Sequence, residues 1–255
     1  MLLAVFFAGL GFGDCTAAAA FGSAAFNQLM EIDLDAKMAR TANRPLPAKR
    51  MDVLVAFAIG TLLCTFGLVH LSIKVGKMPA VLTLITLVTY VFLYTPMKRK
   101  HSVNTLLGAI PGAIPPMIGW TAAGGALDGS AWFLFALLFL WQLPHFIAIN
   151  WLCREEYEAA GYRMWSNGDV SGRKSGTLSM FFAGLLALLA VWPWLMGTAG
   201  LAWMLIGFLL GAWTVVLAAR FRKAGDRASA RKLFLFTLLY LPLALTALAI
   251  FWTKA

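Results

Sequence analysis

Eight long apolar runs take up most of this 255-residue chain, at 2–30, 51–72, 79–96, 104–124, 131–152, 177–196, 200–219 and 233–252. Each is long enough, or nearly so, to cross a hydrocarbon layer of about 30 Å. No other feature restricts the fold as strongly. Hydrocarbon offers no partner for a free backbone N–H or C=O, so open spanning segments must be helices. The strand-length alternation of a membrane β-barrel is absent. Composition agrees: 61% of residues are hydrophobic and 13% charged, against roughly 25% charged in a soluble domain. The first run lacks a basic leader and passes straight into a charged stretch, which marks it as a retained span rather than a signal peptide. The expected fold is all-α, one polytopic transmembrane helical bundle of eight spans over 1–255.

The basic residues sort by loop. Lys37, Arg40, Arg44, Lys49 and Arg50 follow the first span; Lys98, Arg99 and Lys100 follow the third. Arg154, Arg163, Arg173 and Lys174 follow the fifth, and Arg220, Arg222, Lys223, Arg227, Arg231 and Lys232 follow the seventh. Together these are 18 of the 21 Lys and Arg; only Lys74, Lys77 and Lys254 lie on the other side. The positive-inside rule makes loops 31–50, 97–103, 153–176 and 220–232 cytoplasmic and turns both ends of the chain outward. Read this way, the net charge of +10 is a topology signal, and nucleic acid is not an expected partner. Cys15, Cys64 and Cys153 have neither metal-binding spacing nor a disulfide pattern.

Against this apolar background, FNQLMEIDLDAKMARTANRPLPAKR at 26–50 concentrates three carboxylates and five cations. Asn27, Glu31 and Asp35 are spaced i, i+4, i+8 and share one helical face, whereas Asp33 points nearly the opposite way. Two carboxylates and an amide in a stripe suit a hard cation such as Mg²⁺, which prefers oxygen ligands and shares them with substrate phosphates. Arg40 and Arg44 follow at once, and arginine grips phosphate oxygens bidentately. Charged helix ends at a membrane surface also pair with nearby bases for no functional reason. Three oxygen-bearing residues on one face of an apolar helix favour a site. Pro45 and Pro47 are expected to break this helix.

Further blocks extend the pattern. Lys98 and Arg99 close the third span, where a topology role and an anion-binding role both fit, and Asn104 is placed one turn into the next helix on the same surface. IPGAIPPMIGW, at 110–120, puts three prolines and two glycines inside a span, which predicts a kink beside protein or a cavity. His145 stands within the fifth span, where a polar ring needs a partner. A hydrogen-bonded packing role and a ligand role stay open for it. The loop at 153–176 carries Glu155, Glu156, Tyr157 and Glu158, either a solvated helix face or a second carboxylate cluster.

The stretch at 26–50 resembles the first aspartate-rich motif of the UbiA-type intramembrane prenyltransferases. YTPMKRKHSVNTLLGAIPGAIPPMIGW at 94–120, WQLPHFIAIN at 141–150 and EEYEAAGYRM at 155–164 follow in the family's order and resemble its heme O synthase (protoheme IX farnesyltransferase) branch. The resemblance covers roughly 26–180. It implies a helical bundle with a central cavity, in the bacterial inner membrane, with its active site toward the cytoplasm. It implies Mg²⁺-dependent transfer of a farnesyl group from farnesyl diphosphate to a vinyl group of heme B, giving heme O, with a heme A synthase or terminal oxidase downstream. Carried over by position, it implies metal and catalytic roles for Asn27, Glu31 and Asp35, with Glu156 as a further metal ligand. Arg40, Arg44, Lys98, Arg99 and Asn104 fall to the diphosphate, and His145 and Tyr157 to the heme.

The sequence departs from the family in places. The family has nine spans and a cytoplasmic N-terminus, so the first span is expected upstream of Met1. Gln28 and Glu31 stand where relatives carry Asp, and GDVSGRKSG at 168–176 has no counterpart role. Asp14 lies mid-span without an assigned partner. Two rival functions remain: a UbiA-type enzyme acting on a quinone precursor or lipid, and a membrane transporter or scaffold without chemistry.

Overall fold

The structure, a computed structural model, describes residues 13–253. The start of the first expected span and the side chain of Asp14 fall outside the described residues. The helices are α1 Gly13–Asp35, α2 Val53–His70, α3 Lys77–Val88, α4 Asn104–Ala113, α5 Pro115–Ala122, α6 Gly129–Leu152, α7 Arg154–Ala160, α8 Arg173–Leu189, α9 Val191–Leu195, α10 Leu201–Ala224 and α11 Arg227–Phe251. Helix α2 continues into a π-helical segment at Leu71–Val75, and α3 into another at Thr89–Tyr94, followed by a single α-turn at Thr95–Met97.

Six of these helical stretches are long and apolar enough to cross a membrane: Val53–Val75, Lys77–Met97, Gly129–Leu152, Arg173–Leu195, Leu201–Ala224 and Arg227–Phe251. They coincide with the second, third and fifth to eighth expected spans and make the chain a multi-pass integral membrane protein. The other two expected spans are helical but do not meet that measure. The described part of the first ends in polar turns, with Asn27, Gln28, Glu31, Asp33 and Asp35. The fourth is cut at Ile114 into pieces of ten and eight residues. The proline run accounts for the cut, since Pro115 starts the second piece.

Helix starts follow acids more than hydropathy. Asp52, Asp128 and Asp226 cap α2, α6 and α11, each accepting a hydrogen bond from an amide of the first turn. In consequence α11 begins at Arg227, before the apolar run at 233. The 168–176 segment does the same for α8. The Asp169 carboxylate accepts the Ser175 amide at 2.8 Å and the Lys174 amide at 3.4 Å, so α8 begins at Arg173 rather than 177.

Two compact units divide the chain, one of residues up to 125 with 155–164, the other of 126–154 with 165 onward. In the first, α1 packs along α2 with little between the backbones: a Cβ on Gly67 would stand 2.6 Å from the Cys15 carbonyl oxygen. In the second, α8 packs on α10 the same way, with Gly211 against Ala187 and Gly176 against Arg222. Small residues let membrane helices approach until van der Waals contact holds them. Trp151 is buried in the second unit, its ring 4.9 Å from that of Phe221 and its indole N–H donating to the Asp169 carbonyl at 2.7 Å. Outward faces are apolar, as lipid requires: Leu54, Phe57, Leu62 and Phe66 of α2 are each more than half exposed.

Candidate active site

The polar stripe of α1 lies inside the first unit. Asn27, Glu31 and Asp35 are 7%, 3% and 0% exposed, while Asp33 is exposed, the division that the spacing predicts. Helix α1 ends at Asp35, earlier than the expected break at Pro45. Thr41 accounts for this: its hydroxyl donates to the Asp35 carbonyl at 2.8 Å, taking up a terminal acceptor that a further turn would have used.

Each carboxylate meets a cation. Arg44 Nη1 lies 2.7 Å from Asp35 Oδ2, and Lys98 Nζ lies 3.0 Å from Glu31 Oε1 and 3.2 Å from Oε2. The Asn27 amide nitrogen donates to Glu31 Oε2 at 3.0 Å and to Thr95 Oγ1 at 3.1 Å. Its protons are thereby spent, and Oδ1 is the atom left to offer. The Lys98 ammonium also sits over the Tyr94 ring, 4.6 Å from its centroid. Tyr162, buried in the loop after α7, donates its hydroxyl to Glu31. Burial above all, then the charges of Glu31 and Asp35, hold its phenol far above the ordinary range. It therefore stays a proton donor at any pH the site meets.

Two buried carboxylate oxygens remain without a hydrogen bond, Asp35 Oδ1 and Glu31 Oε1; the second still has its ion-pair contact with Lys98. A buried acceptor without a partner costs roughly 1–3 kcal/mol, more when charged. Asp35 Oδ1, which has no partner, and the ion-paired Glu31 Oε1 are, with the Asn27 amide oxygen, hard donors of the kind that suits Mg²⁺. Among the described residues no three His, Cys, Asp or Glu come close enough to hold a metal, so substrate phosphate and water would complete the coordination. Glu156 is exposed on α7 and is not brought into the cluster.

The other expected residues divide. Arg40 donates to the Tyr157 hydroxyl at 3.2 Å on the exposed side of the site, which places Tyr157 beside an arginine of the basic tail. Arg99 donates to the Met30 carbonyl at 2.9 Å and holds the end of α1. Asn104 is the first residue of α4 rather than one turn in, and its amide protons go to the carbonyls of His101 (2.8 Å) and Arg163 (2.6 Å). The Arg163 amide returns a bond to the Lys98 carbonyl at 2.8 Å. Asn104 thus ties the loop carrying Lys98 to the loop carrying Tyr162. Asn104→Ala should cost about 1–3 kcal/mol locally and raise the KM for the diphosphate substrate several-fold, with steady-state kinetics as the check. His145 belongs to the second unit.

Sequence reasoning passed over Tyr94, Thr95, Thr41 and Tyr162. Gly108 was the available signal for Tyr94, because a Cβ there would lie 2.6 Å from that ring. Gly161, at φ +91°, was the signal for Tyr162, since it ends α7 and turns the next side chain inward.

The profile of the UbiA prenyltransferase family matches residues 1–253. The chain belongs to this family. A protein of Opitutus terrae named protoheme IX farnesyltransferase is 39% identical over 236 residues, covering 92% of this chain and 80% of that one. One of Solibacter usitatus with the same name is 41% identical over 224 residues, covering 88% and 77%. Among solved structures, a UbiA homologue of Aeropyrum pernix K1 superposes with a TM-score of 0.73 at 16% identity, over 95% of this chain and 88% of that one. A homologue of Archaeoglobus fulgidus, solved with GPP and Mg²⁺, superposes with a TM-score of 0.61 at 13% identity, over 97% and 95%. As a UbiA-family member the chain is a membrane prenyltransferase.

Proposed function

We propose that this prenyltransferase moves a farnesyl group from farnesyl diphosphate to a vinyl group of heme B, producing heme O for terminal oxidases. The observation that carries the chemistry is the pair of buried carboxylates, each beside a cation, with Asp35 Oδ1 left without a partner. The heme acceptor follows from relatives named protoheme IX farnesyltransferase at about 40% identity over most of the chain. The reading places the enzyme in a bacterial inner membrane, and the basic residues of loops 31–50 and 97–103 favour a site open to the cytoplasm.

In this reading Asn27 Oδ1, Glu31 and Asp35 would hold Mg²⁺, which would neutralise charge on the diphosphate. Lys98 and Arg44, released from their carboxylates, bind the diphosphate oxygens, and Arg40 reaches them from the outer side. These cations stabilise the negative charge that grows on the leaving group as the allylic C–O bond breaks with its electron pair. The vinyl carbon then attacks the farnesyl carbon, and water adds to the cation left beside the porphyrin, losing a proton. Tyr162 keeps Glu31 in place. An apolar cleft of about 440 Å³ is lined by Phe26, Leu29 and Met30 of α1, which are neighbours of Asn27 and Glu31 along the helix, with Phe57 and Cys64 of α2 and the middle of the third span. It is within the ~300–1,000 Å³ of small-molecule sites and suits a farnesyl chain.

Membranes carrying the protein, incubated with farnesyl diphosphate, Mg²⁺ and heme B, should yield heme O by mass spectrometry, and excess EDTA should stop its formation. Prenylation of an aromatic acid or lipid with no heme O would overturn the acceptor.

A further inference from the structure

In the second unit, helices α6 and α11 meet at Thr237, which is 1% exposed. Its hydroxyl donates to the Phe234 carbonyl at 2.6 Å, and the same Oγ1 lies 2.9 Å from His145 Nδ1. Its carbonyl accepts the Trp141 indole N–H at 2.7 Å. A hydroxyl has one proton. At 2.6 Å the two oxygens need that proton between them, so Oγ1 can only accept from the imidazole. His145 therefore carries its proton on Nδ1, and Nε2 presents a lone pair.

That nitrogen makes no hydrogen bond among the described residues, and the ring is half-buried. Trp141 stacks on it at 5.6 Å and 22°, Phe234 lies at 4.8 Å and 30°, and Phe146 meets it edge-on at 5.7 Å. The imidazole is fixed in orientation and tautomer, about two turns from the end of α6. Protein histidines that bind metals are held this way, with the far ring N–H donated to a fixed acceptor.

We propose that Thr237 is a positioning residue, which sets His145 as the Nδ1–H tautomer so that Nε2 binds the iron of the porphyrin acceptor. The proposal rests on the heme reading given above. Heme iron commonly takes one histidine nitrogen, and here the fold delivers that nitrogen unprotonated. A purely structural role, tying α6 to α11, is the competing explanation, and the variants below separate the two.

The test titrates the purified, detergent-solubilised protein with ferric heme B and follows the Soret band and the iron spin state. Wild type should show a nitrogen-ligated spectrum. Thr237→Val, which keeps the shape and removes the hydroxyl, should weaken heme binding about 10- to 100-fold, and Thr237→Ser should restore it. His145→Gln still meets Thr237 through its amide but has no ring nitrogen, so it should fold and lose the nitrogen-ligated spectrum. Trp141→Phe keeps a ring stacked on the imidazole and removes only the indole N–H tie to the Thr237 carbonyl, so it should leave that spectrum in place. The KM for farnesyl diphosphate should not move in any of them. A wild-type spectrum in His145→Gln overturns the proposal while heme O formation keeps the acceptor reading alive. A wild-type protein that neither binds heme nor makes heme O overturns both.

Discussion

Asp35→Asn should lower prenyl transfer by at least about 10²–10³-fold, the loss typical when one fixed charge facing a developing charge is removed. Asp35 is fully buried, with Oδ2 on Arg44 and Oδ1 on nothing. Asparagine keeps the shape and one acceptor oxygen. If that oxygen faces Arg44, the NH₂ group occupies the place of Oδ1 and presents protons where a cation would sit. If the amide turns the other way, the NH₂ faces the guanidinium. Neither orientation reproduces the anion. Arg44 is 36% exposed, so water can solvate it and the variant should still insert and purify. Rates are read as diphosphate release from farnesyl diphosphate with heme B. An unchanged rate would remove Asp35 from the mechanism.

The second large effect is on folding. A Cβ at Gly211 would stand 2.5 Å from the Ala187 Cα and 2.7 Å from its Cβ. Backbone cannot swing aside as a side chain can, so Gly211→Val must push α10 off α8. Overpacking of this kind costs about 1–3 kcal/mol, and more where the obstacle is main chain. The thermal midpoint of the detergent-solubilised protein should fall by several degrees. Gly184 supplies the control: it lies on α8 with nothing within 4 Å of the added Cβ. Gly184→Ala should be neutral or stabilising, by up to about 1 kcal/mol, through helix propensity. Equal losses in the two variants would show that close approach at Gly211 is not what matters.

The contrast between these residues shows what a sequence displays. Helical period alone separates Glu31 and Asp35 from Asp33, because burial follows the face of α1 and the face follows spacing. Hydropathy finds the apolar part of each span but misplaces its ends. Ends depend on single hydrogen bonds, such as Asp169 to the Ser175 amide or Thr41 to the Asp35 carbonyl, and these leave no periodic trace. The part played by Asn104 was hidden for a related reason. Its amide could have served a phosphate as readily as a carbonyl, and only the approach of Arg163, 59 residues away, decides how its protons are used. Tyr162 is equally remote from Glu31 in sequence. The tautomer of His145 depends on one proton of Thr237, 92 residues away.

The π-helical segment at Thr89–Tyr94 sets the phase of the third span. A π-turn holds one residue more than an α-turn, and one residue is worth about 100° of rotation along a helix. The outer half of the span therefore keeps its apolar face toward lipid on one angular setting. The inner half, with Thr95 and Lys98, keeps its own setting toward α1. The segment works as a vernier between two demands that no single α-helical repeat satisfies together. Shortening it by any one residue should restore a regular repeat and turn Lys98 away from Glu31 without changing the composition of the site. Deleting Gly124 instead, which is exposed and has nothing within 4 Å of an added Cβ, should be far milder.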